Sequence, residues 1–302
     1  MLMSRLQKSG PKISVFPKCY FDQLCAGTMD YLEWIRMAGK LGAEGIEHYD
    51  GFFKSLEAED VLLVKRTVED VGLASSLFCF SPDFTDPDPR RRRDQVERQK
   101  RAIDACSLLG ISFCRTLSGQ RRPDVSRALG IAWVVEGIDS CLEYAARKGV
   151  MLCMENHYKD GNWAYPEFAQ DEDVFLEIIS RIDSSNFGVQ YDPSNAIVGG
   201  YDPLLFLEKV KKRVVSMHAS DRYLKQGYTI DDLKHADGAI GYADCLLHGV
   251  TGKGLNDYDR IFEILGEIDF SGWISVEDGM NGMEELRQSV TFLKEMREKY
   301  FP

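Results

Sequence analysis

Short apolar runs alternate with amphipathic segments along the chain. The runs are rich in β-branched and aromatic residues and predict strands at 12–16, 45–49, 73–80, 112–117, 150–156, 187–191, 214–218 and 273–277. After each run, apolar residues recur at helical spacing, which predicts helices at 28–41, 56–71, 90–109, 128–147, 171–182, 203–212, 258–268 and 283–300. Thr28 is the expected N-cap of the first helix.

This alternation of strand and helix indicates parallel strands joined by helical crossovers. Eight such units in 302 residues fit a closed barrel better than an open sheet. An open dinucleotide-binding sheet would carry a glycine-rich turn after its first strand, where Pro17, Lys18 and Cys19 stand instead. No linker divides the chain, so we expect an α/β fold, a (β/α)₈ TIM barrel, as a single domain over residues 1–302.

Composition narrows the range of partners and compartments. A formal net charge of -11 disfavours nucleic acid, and the one basic run, 90–93, lies on a helix with interleaved acids that is typical of a solvated face. We find no apolar run that could span a bilayer, and residues 1–12 lack the apolar centre of a signal peptide. Eight cysteines without a CxxC pair indicate reduced thiols, so we expect a cytoplasmic protein.

The last four predicted strands each end on a potential metal ligand: Glu155, Asp192, His218 and Glu277. Two positions earlier, each strand carries a small or mildly polar residue: Cys153, Gln190, Ser216 and Ser275. In a barrel, alternate side chains face the interior and the carboxyl ends of the strands meet at one mouth. A single acid at a strand end is usually a helix cap or an ion-pair partner. Four ligands in phase predict a metal site.

Three carboxylates and one imidazole form a ligand set rich in hard oxygen donors, which favours Mn²⁺, Mg²⁺ or Co²⁺ over a closed structural Zn²⁺ site. We expect one divalent metal ion, with Mn²⁺ as the first choice and Mg²⁺, Co²⁺ or Zn²⁺ as alternatives. Such an ion polarises a ketone and its neighbouring hydroxyl, which lowers the cost of removing the α-proton. A nearby carboxylate can then take that proton and return it to the same or the adjacent carbon.

Motifs at these strand ends resemble those of a known group, the xylose isomerase-like barrel superfamily of sugar isomerases and epimerases. The motifs are Met154-Glu155-Asn156, Tyr191-Asp192-Pro193-Ser194-Asn195, Met217-His218, Val276-Glu277, Gly45-Ile46-Glu47, Gly272-Trp273 and Thr251-Gly252-Lys253-Gly254. They are short, but their order matches and they extend over essentially the whole chain.

The resemblance implies a Glu-Asp-His-Glu site on one divalent ion, formed here by Glu155, Asp192, His218 and Glu277. It also implies that Glu155 and Glu277 shuttle protons on opposite faces of a bound ketose, through a metal-stabilised cis-enediolate. The implied activity is that of an isomerase or epimerase acting on a ketose or keto-sugar derivative.

Two positions depart from the ketose epimerase pattern. Asn195 stands where those enzymes usually carry a histidine, three residues after the metal aspartate. Arg222 lies near, but not at, the usual position of a substrate-binding arginine. We keep both as candidate substrate ligands with a changed substrate orientation. His157 shares the strand parity of Glu155 and is a candidate catalytic acid–base group, or else a structural histidine bonded to a loop carbonyl.

Four further residues are candidate substrate ligands by position. Glu47 and His48 end the second predicted strand, Arg115 lies at the end of the fourth, and Trp163 lies in the loop after the fifth. Charged groups there could bind hydroxyls or a carboxylate, and an indole could stack on a sugar face. A structural ion pair or a loop anchor is the alternative role for each.

Other activities stay open from the sequence. A lyase, decarboxylase or dehydratase acting on a keto sugar or sugar acid could use the same ion. An apurinic endonuclease shares the barrel, but it needs several zinc ions and more histidines, and the acidic charge opposes it. A metal-free binding protein is disfavoured by the intact ligand set.

We expect a small-molecule sugar substrate and no nucleic acid or membrane partner. The excursion at 222–256 is long enough for a lid or a homo-oligomer contact.

Overall fold

Eight parallel strands close into a barrel in the computed structural model, which describes residues 10–235 and 245–302. Numbered in chain order, the barrel strands are β1 (Lys12–Val15), β2 (Gly45–Tyr49), β3 (Ala74–Cys79), β4 (Phe113–Thr116), β5 (Met151–Glu155), β6 (Phe187–Tyr191), β7 (Val214–Ala219) and β10 (Trp273–Val276); β8 (Arg222–Leu224) and β9 (Leu246–His248) lie outside the barrel. Around the barrel the strands follow the order β1, β10, β7, β6, β5, β4, β3, β2. The predicted eight-stranded barrel is confirmed.

Helices follow the strands and cover the outside of the barrel. They are α1 (Phe21–Cys25), α2 (Tyr31–Ala38), α3 (Ala58–Asp70), α4 (Pro89–Leu109), α5 (Arg127–Arg147), α6 (Glu172–Arg181), α7 (Pro193–Val198), α8 (Pro203–Val210), α9 (Ile230–His235), α10 (Tyr258–Glu267) and α11 (Met283–Tyr300). Short 3₁₀ turns lie at Lys18–Tyr20, Asp50–Phe52 and Lys211–Arg213. Each predicted helix is present, with shifts of a few residues at its ends.

The helix α2 shows how the apolar spacing produces this packing. Its buried residues, Tyr31, Trp34, Ile35 and Ala38, recur on one face, which packs into the hydrophobic core. The expected N-cap at Thr28 is wrong. Asp30 caps the helix instead, because its carboxylate accepts a hydrogen bond from the backbone N–H of Leu32 at 3.1 Å.

A small antiparallel hairpin follows β7 and was not predicted. It pairs β8 (Arg222–Leu224) with β9 (Leu246–His248) inside the predicted excursion at 222–256, of which residues 236–244 lie outside the described ranges. The carboxylate of Asp221 accepts hydrogen bonds from the backbone N–H groups of Gly252 (3.0 Å), Gly254 (2.8 Å) and Asn256 (3.2 Å). These bonds fasten the segment after the hairpin to the carboxyl end of β7.

The cysteines of the described ranges are free thiols, and the helices there are too short or too polar to span a membrane. All eight cysteines are unpaired thiols, and five of them lie in the strands and helices of the buried core. Among the helices of residues 10–235 and 245–302, none is long and apolar enough to cross a membrane. The expectation about a signal peptide concerns residues 1–12, most of which lie outside the described ranges.

Candidate metal centre

Four side chains from the carboxyl ends of neighbouring strands meet at the mouth of the barrel. Glu155 ends β5, Asp192 follows β6, His218 lies in β7 and Glu277 follows β10. One potential ligand atom from each lies within 4.8 Å of the others. Glu155, Asp192 and His218 are at most 1% exposed, and only the side chain of Glu277, at 13%, reaches the surface of the mouth. The sequence therefore identified residues that the fold brings together.

The three carboxylates surround one nitrogen of the imidazole. Nδ1 of His218 lies 3.0 Å from Glu155 Oε1, 3.1 Å from Glu277 Oε2 and 3.9 Å from Asp192 Oδ2. A ring nitrogen carries at most one hydrogen and can donate fully to one acceptor only. Three carboxylates around a single nitrogen are better satisfied by a cation that binds all four groups. This donor set fits a divalent ion.

The electrostatics of the cluster lead to the same conclusion. Burial, together with the charges of Glu277 and Glu155, raises the pKa of Asp192 to about 7. Burial disfavours a charged imidazole, but Glu47, Glu155 and Glu277 outweigh it and raise the pKa of His218 well above its usual value. Both shifts show an excess of negative charge in a buried site. A divalent ion would relieve it by taking the place of a proton on Nδ1.

Two cationic side chains hold the outer oxygens of the glutamates. Arg115 donates to Glu155 Oε2 at 2.7 Å, and Lys18 donates to Glu277 Oε1 at 3.0 Å. Burial opposes ionisation of Glu155, but the charges of His218 and Arg115 prevail and lower its pKa to about 2. For Glu277 burial is likewise outweighed, by Lys18 and His218, so its pKa lies well below the usual value. Both glutamates are therefore held as carboxylates.

Neutral groups fix the orientation of the ligands. Asn195, at the first turn of α7, donates from its side-chain amide to Glu155 Oε1 at 3.1 Å and from its backbone N–H to Asp192 Oδ1 at 2.8 Å. The hydroxyl of Ser220 donates to the same oxygen of Asp192 at 2.8 Å. Asn195 thus contacts two of the four ligands, which places this predicted substrate ligand within the ligand cluster itself.

An open cavity of about 320 Å³ lies next to the cluster. Its charged lining residues are Lys18, Asp22, Arg115, Lys159, Asp160 and Glu277, and its aromatic ones are Phe16, Phe21, Tyr49 and Tyr158. This volume lies in the range of small-molecule sites. Polar groups combined with aromatic rings suit a polyhydroxylated ligand, because the rings cover its apolar faces while the polar groups bind its hydroxyls.

His157 lines this cavity, two residues beyond Glu155. Its Nδ1 lies 3.6 Å from Glu167 Oε2, and its ring stacks on Tyr158 with the ring centroids 5.1 Å apart. Glu167 is fully buried, and its other oxygen accepts hydrogen bonds from the backbone N–H and hydroxyl of Ser118. The carboxylate is therefore fixed beside an imidazole that reaches the cavity.

The structure corrects the positions expected for Glu47 and His48. Glu47 lies below the ligands inside the barrel, where its Oε1 is 2.7 Å from His218 Nε2, so it does not face the mouth. His48, the next residue along β2, points to the opposite face, where it bonds Tyr31 (2.6 Å) and Ser75 (2.8 Å) behind the barrel wall. Successive strand residues face opposite sides of the sheet, so the two could not share one role.

The remaining candidates, Arg222 and Trp163, are not among the described lining residues of the cavity. Arg222 begins the hairpin and places its guanidinium 5.4 Å from the centre of the Tyr158 ring, which itself lines the cavity. Trp163 is 9% exposed and sits within the loop after β5, where its backbone N–H bonds the carbonyl of Asp160 at 3.1 Å.

Sequence reasoning missed Lys18 and Glu167. Lys18 follows the first strand, so its position at a strand end was an available signal, but it lies in a 3₁₀ turn rather than in phase with the strand. Glu167 lies far along the loop after β5, and no spacing rule connects it to His157. Only the folded loop brings these two residues together.

The chain is similar in sequence to inosose dehydratases of two bacteria. An inosose dehydratase of Bacillus thuringiensis (strain Al Hakam) is 24% identical over 147 residues, covering 48% of this chain and 45% of that protein. An inosose dehydratase of Histophilus somni (strain 129Pt) is 25% identical over 233 residues, covering 72% of this chain and 74% of that protein. The match thus spans about half the length of the first of these relatives.

The solved structure of a D-tagatose 3-epimerase-like protein shares the fold, with a TM-score of 0.74 at 19% identity over 96% of this chain and 98% of that chain. A family model described as a xylose isomerase-like TIM barrel matches residues 35–296, which include all four ligands of the candidate metal centre. The chain belongs to the xylose isomerase-like TIM barrel family.

Proposed function

We propose that this protein is a divalent-metal-dependent isomerase or epimerase that moves a proton at the carbon next to the carbonyl of a ketose or keto-sugar derivative. The observation that carries the proposal is the convergence of Glu155, Asp192 and Glu277 on Nδ1 of His218, beside a cavity sized for a small molecule. Membership of a family with a sugar isomerase and epimerase fold supports the substrate class.

Glu155, Asp192, His218 and Glu277 would hold the ion, with Mn²⁺ as the first choice. When bound, it would polarise the substrate carbonyl and the adjacent hydroxyl and lower the cost of removing the α-proton. Glu277 lines the cavity and is partly exposed, which supports its carboxylate as the group that takes or returns that proton. Glu155 is the second candidate, with Arg115 between its outer oxygen and the cavity.

A dehydratase is the second candidate function. It is favoured by His157, which reaches the cavity beside the fixed carboxylate of Glu167, and by the names of the two sequence relatives. An imidazole beside a carboxylate, here 3.6 Å apart, is a suitable general acid or base. In this reaction His157 would remove a proton next to the carbonyl or protonate a leaving hydroxyl, and water would be lost.

The test is incubation of the Mn²⁺-loaded protein with a panel of ketoses, keto polyols and keto sugar acids in D₂O. Isomerase or epimerase activity predicts deuterium on the α-carbon of the recovered sugar, at a rate that Glu155→Gln and Glu277→Gln reduce at least about a hundredfold. Dehydratase activity predicts an unsaturated product and sensitivity to His157→Gln. Exchange that survives chelation and both glutamate substitutions would contradict the proposal.

The cellular compartment and the contact between copies of the chain are proposed on separate grounds. Eight free thiols, most of them buried in the core, support a reducing compartment, and we propose the cytoplasm.

Three apolar or aromatic side chains on and after the hairpin strand β8 are each more than two-fifths exposed: Tyr223, Tyr228 and Ile230. Their exposure supports this segment as a contact between copies of the chain, which analytical ultracentrifugation of the wild type and Ile230→Ser would test.

A further inference from the structure

The imidazole of His218 has a second polar neighbourhood that the metal centre does not use. Its Nδ1 faces the three carboxylates at the mouth. Its Nε2 faces the interior of the barrel, 2.7 Å from Oε1 of Glu47 and 2.6 Å from the amide nitrogen of Gln190. All three side chains are at most 1% exposed. Burying a carboxylate there is costly, so its presence calls for a specific role.

Glu47 is held in place by a side chain on the neighbouring strand. The thiol of Cys79 donates to the same oxygen, Oε1, at 2.8 Å, and Cys79 is fully buried. Their strands, β2 and β3, are paired in parallel. The carboxylate cannot swing away from the ring without leaving a buried charge unpaired, which costs more than an ordinary hydrogen bond contributes. Glu47 therefore presents a fixed acceptor to His218.

A fixed acceptor determines which ring nitrogen carries hydrogen. A carboxylate oxygen accepts and does not donate, so Nε2 of His218 carries the hydrogen that bonds Glu47. When an ion takes the place of hydrogen on Nδ1, the ring is left with its lone pair toward the three carboxylates. The amide nitrogen of Gln190 faces Nε2 as placed, and a 180° flip that exchanges the amide nitrogen and oxygen removes this conflict. The oxygen, which has no other partner in the described ranges, then lies beside the same Nε2–H as a second, weaker acceptor.

We propose that Glu47 is a positioning residue that fixes the ring tautomer of His218 and so makes Nδ1 available as a metal ligand. The inference rests on the proposed function, because it assigns the ion to Nδ1. Removing the partner of a metal-binding histidine typically weakens metal affinity roughly 10–100-fold. Glu47→Gln keeps the shape of the side chain, but its amide can donate to Nε2 and thereby favour the other tautomer.

The experiment compares the wild type with Glu47→Gln and a matched control, Ser275→Ala. Ser275 is adjacent to His218 in the strand register and fully buried, and its hydroxyl has no hydrogen-bond partner in the described part of the chain. Mn²⁺ affinity is measured by competition with a chelator. The tautomer of His218 is measured from its ring ¹⁵N shifts in the diamagnetic Mg²⁺- or Zn²⁺-loaded protein.

We expect the wild type and Ser275→Ala to bind Mn²⁺ equally and to carry hydrogen on Nε2. Glu47→Gln should bind Mn²⁺ roughly 10–100-fold more weakly and show a changed ring ¹⁵N pattern at a similar melting temperature. Equal affinity, or a wild-type ring with hydrogen on Nδ1, would overturn the proposal. So would a second ion per chain that Glu47→Gln removes, since Glu47 and Cys79 would then be ligands.

Failure of the proposed function gives a different result. If the wild type binds no divalent ion, the metal centre is refuted, while the ¹H shift of the ring Nε2–H in the metal-free protein, compared between the wild type and Glu47→Gln, still decides whether that hydrogen bonds Glu47. If Glu47→Gln does not fold, Cys79→Ala replaces it, because this change removes the support of the carboxylate but leaves the charge. A weaker Mn²⁺ affinity in the same direction is expected, and an unchanged affinity together with an unchanged ¹⁵N pattern would overturn the proposal.

Discussion

Arg115 and Lys18 each bond one oxygen of a glutamate whose other oxygen faces His218. The two oxygens of each carboxylate therefore have different surroundings. Its inner oxygen lies at the candidate metal position, and its outer oxygen is oriented by a cation at the cavity. The two cations also offset part of the negative charge that three carboxylates bring to a buried site. The positions of single atoms thus favour metal binding and proton transfer by the same residues.

His48 yields a prediction about pH. Burial lowers its pKa from 6.5 to about 3, so the folded protein keeps the ring neutral while the unfolded chain takes up a proton below pH 6.5. The unfolded state then binds more protons, and stability must fall as the pH falls. Between pH 7.5 and 5.5 this residue should cost about 1.4 kcal/mol. His48→Gln should remove that part of the pH dependence of urea unfolding.

The measurement is the free energy of unfolding of both proteins at several pH values. Other titrating groups are shared by the wild type and the variant, so the difference between the two curves isolates the ring. Parallel curves across this interval would show that His48 takes up a proton in the folded state.

Glu47 and His48 also show that the sequence does not predict which residue of a strand faces the barrel interior. Strand alternation requires that the two face opposite sides, but it does not say which one faces the interior. Here the pairing of β2 with β3 shifts register between Ile46 and His48, an irregularity that no apolar pattern records. Glu47 faces the interior, below the mouth of the barrel. The four candidate metal ligands were predictable because each lies at, or within one residue of, the carboxyl end of a strand.

Among the elements, the short helix α7 connects the candidate metal centre to the backbone. Asp192 is its N-cap, since Oδ1 accepts from the backbone N–H of Asn195, while Oδ2 faces His218. One carboxylate therefore both starts a helix and belongs to the candidate metal centre. Asparagine is an equally good N-cap, whereas alanine is a poor one. The two tasks can be separated by substitution.

Asp192→Asn should abolish Mn²⁺ retention while leaving the fold intact, because the amide keeps the cap but turns an NH₂ group or a neutral oxygen toward the ion. Asp192→Ala should also lose the ion and be less stable than Asp192→Asn by about 0.5–2 kcal/mol, since it removes the cap as well. Metal content by mass spectrometry and urea unfolding in the absence of metal check both statements. Wild-type metal content in Asp192→Asn would count against the ligand assignment.

Element boundaries show the limits of local pattern. Thr28 and Asp30 are both good caps in sequence, and the helix begins after Asp30 because Thr28 instead donates its hydroxyl to the carbonyl of Gln23. The hairpin β8–β9 was missed because each of its strands has only three residues, too few to show alternation. Its position depends on Asp221, whose backbone contacts lie more than thirty residues away in sequence.

In the whole molecule, closure of the barrel is what joins residues far apart in the chain. Alternating strand and helix signals were enough to predict it, because parallel strands joined by helices have few stable arrangements. The same closure brings Lys18, after the first strand, to Glu277, after the last, a contact across 259 positions. Loop contacts such as His157 with Glu167 depend on a path that no strand or helix dictates, and the sequence could not supply them.

The candidate metal centre is best tested by diffraction from crystals grown with Mn²⁺, recorded at the manganese absorption edge. The geometry predicts one anomalous peak at the mouth of the barrel, at about 2.0–2.3 Å from Glu155, Asp192, His218 Nδ1 and Glu277. A peak elsewhere, or no peak at saturating Mn²⁺, would contradict the proposed enzyme and leave only its fold.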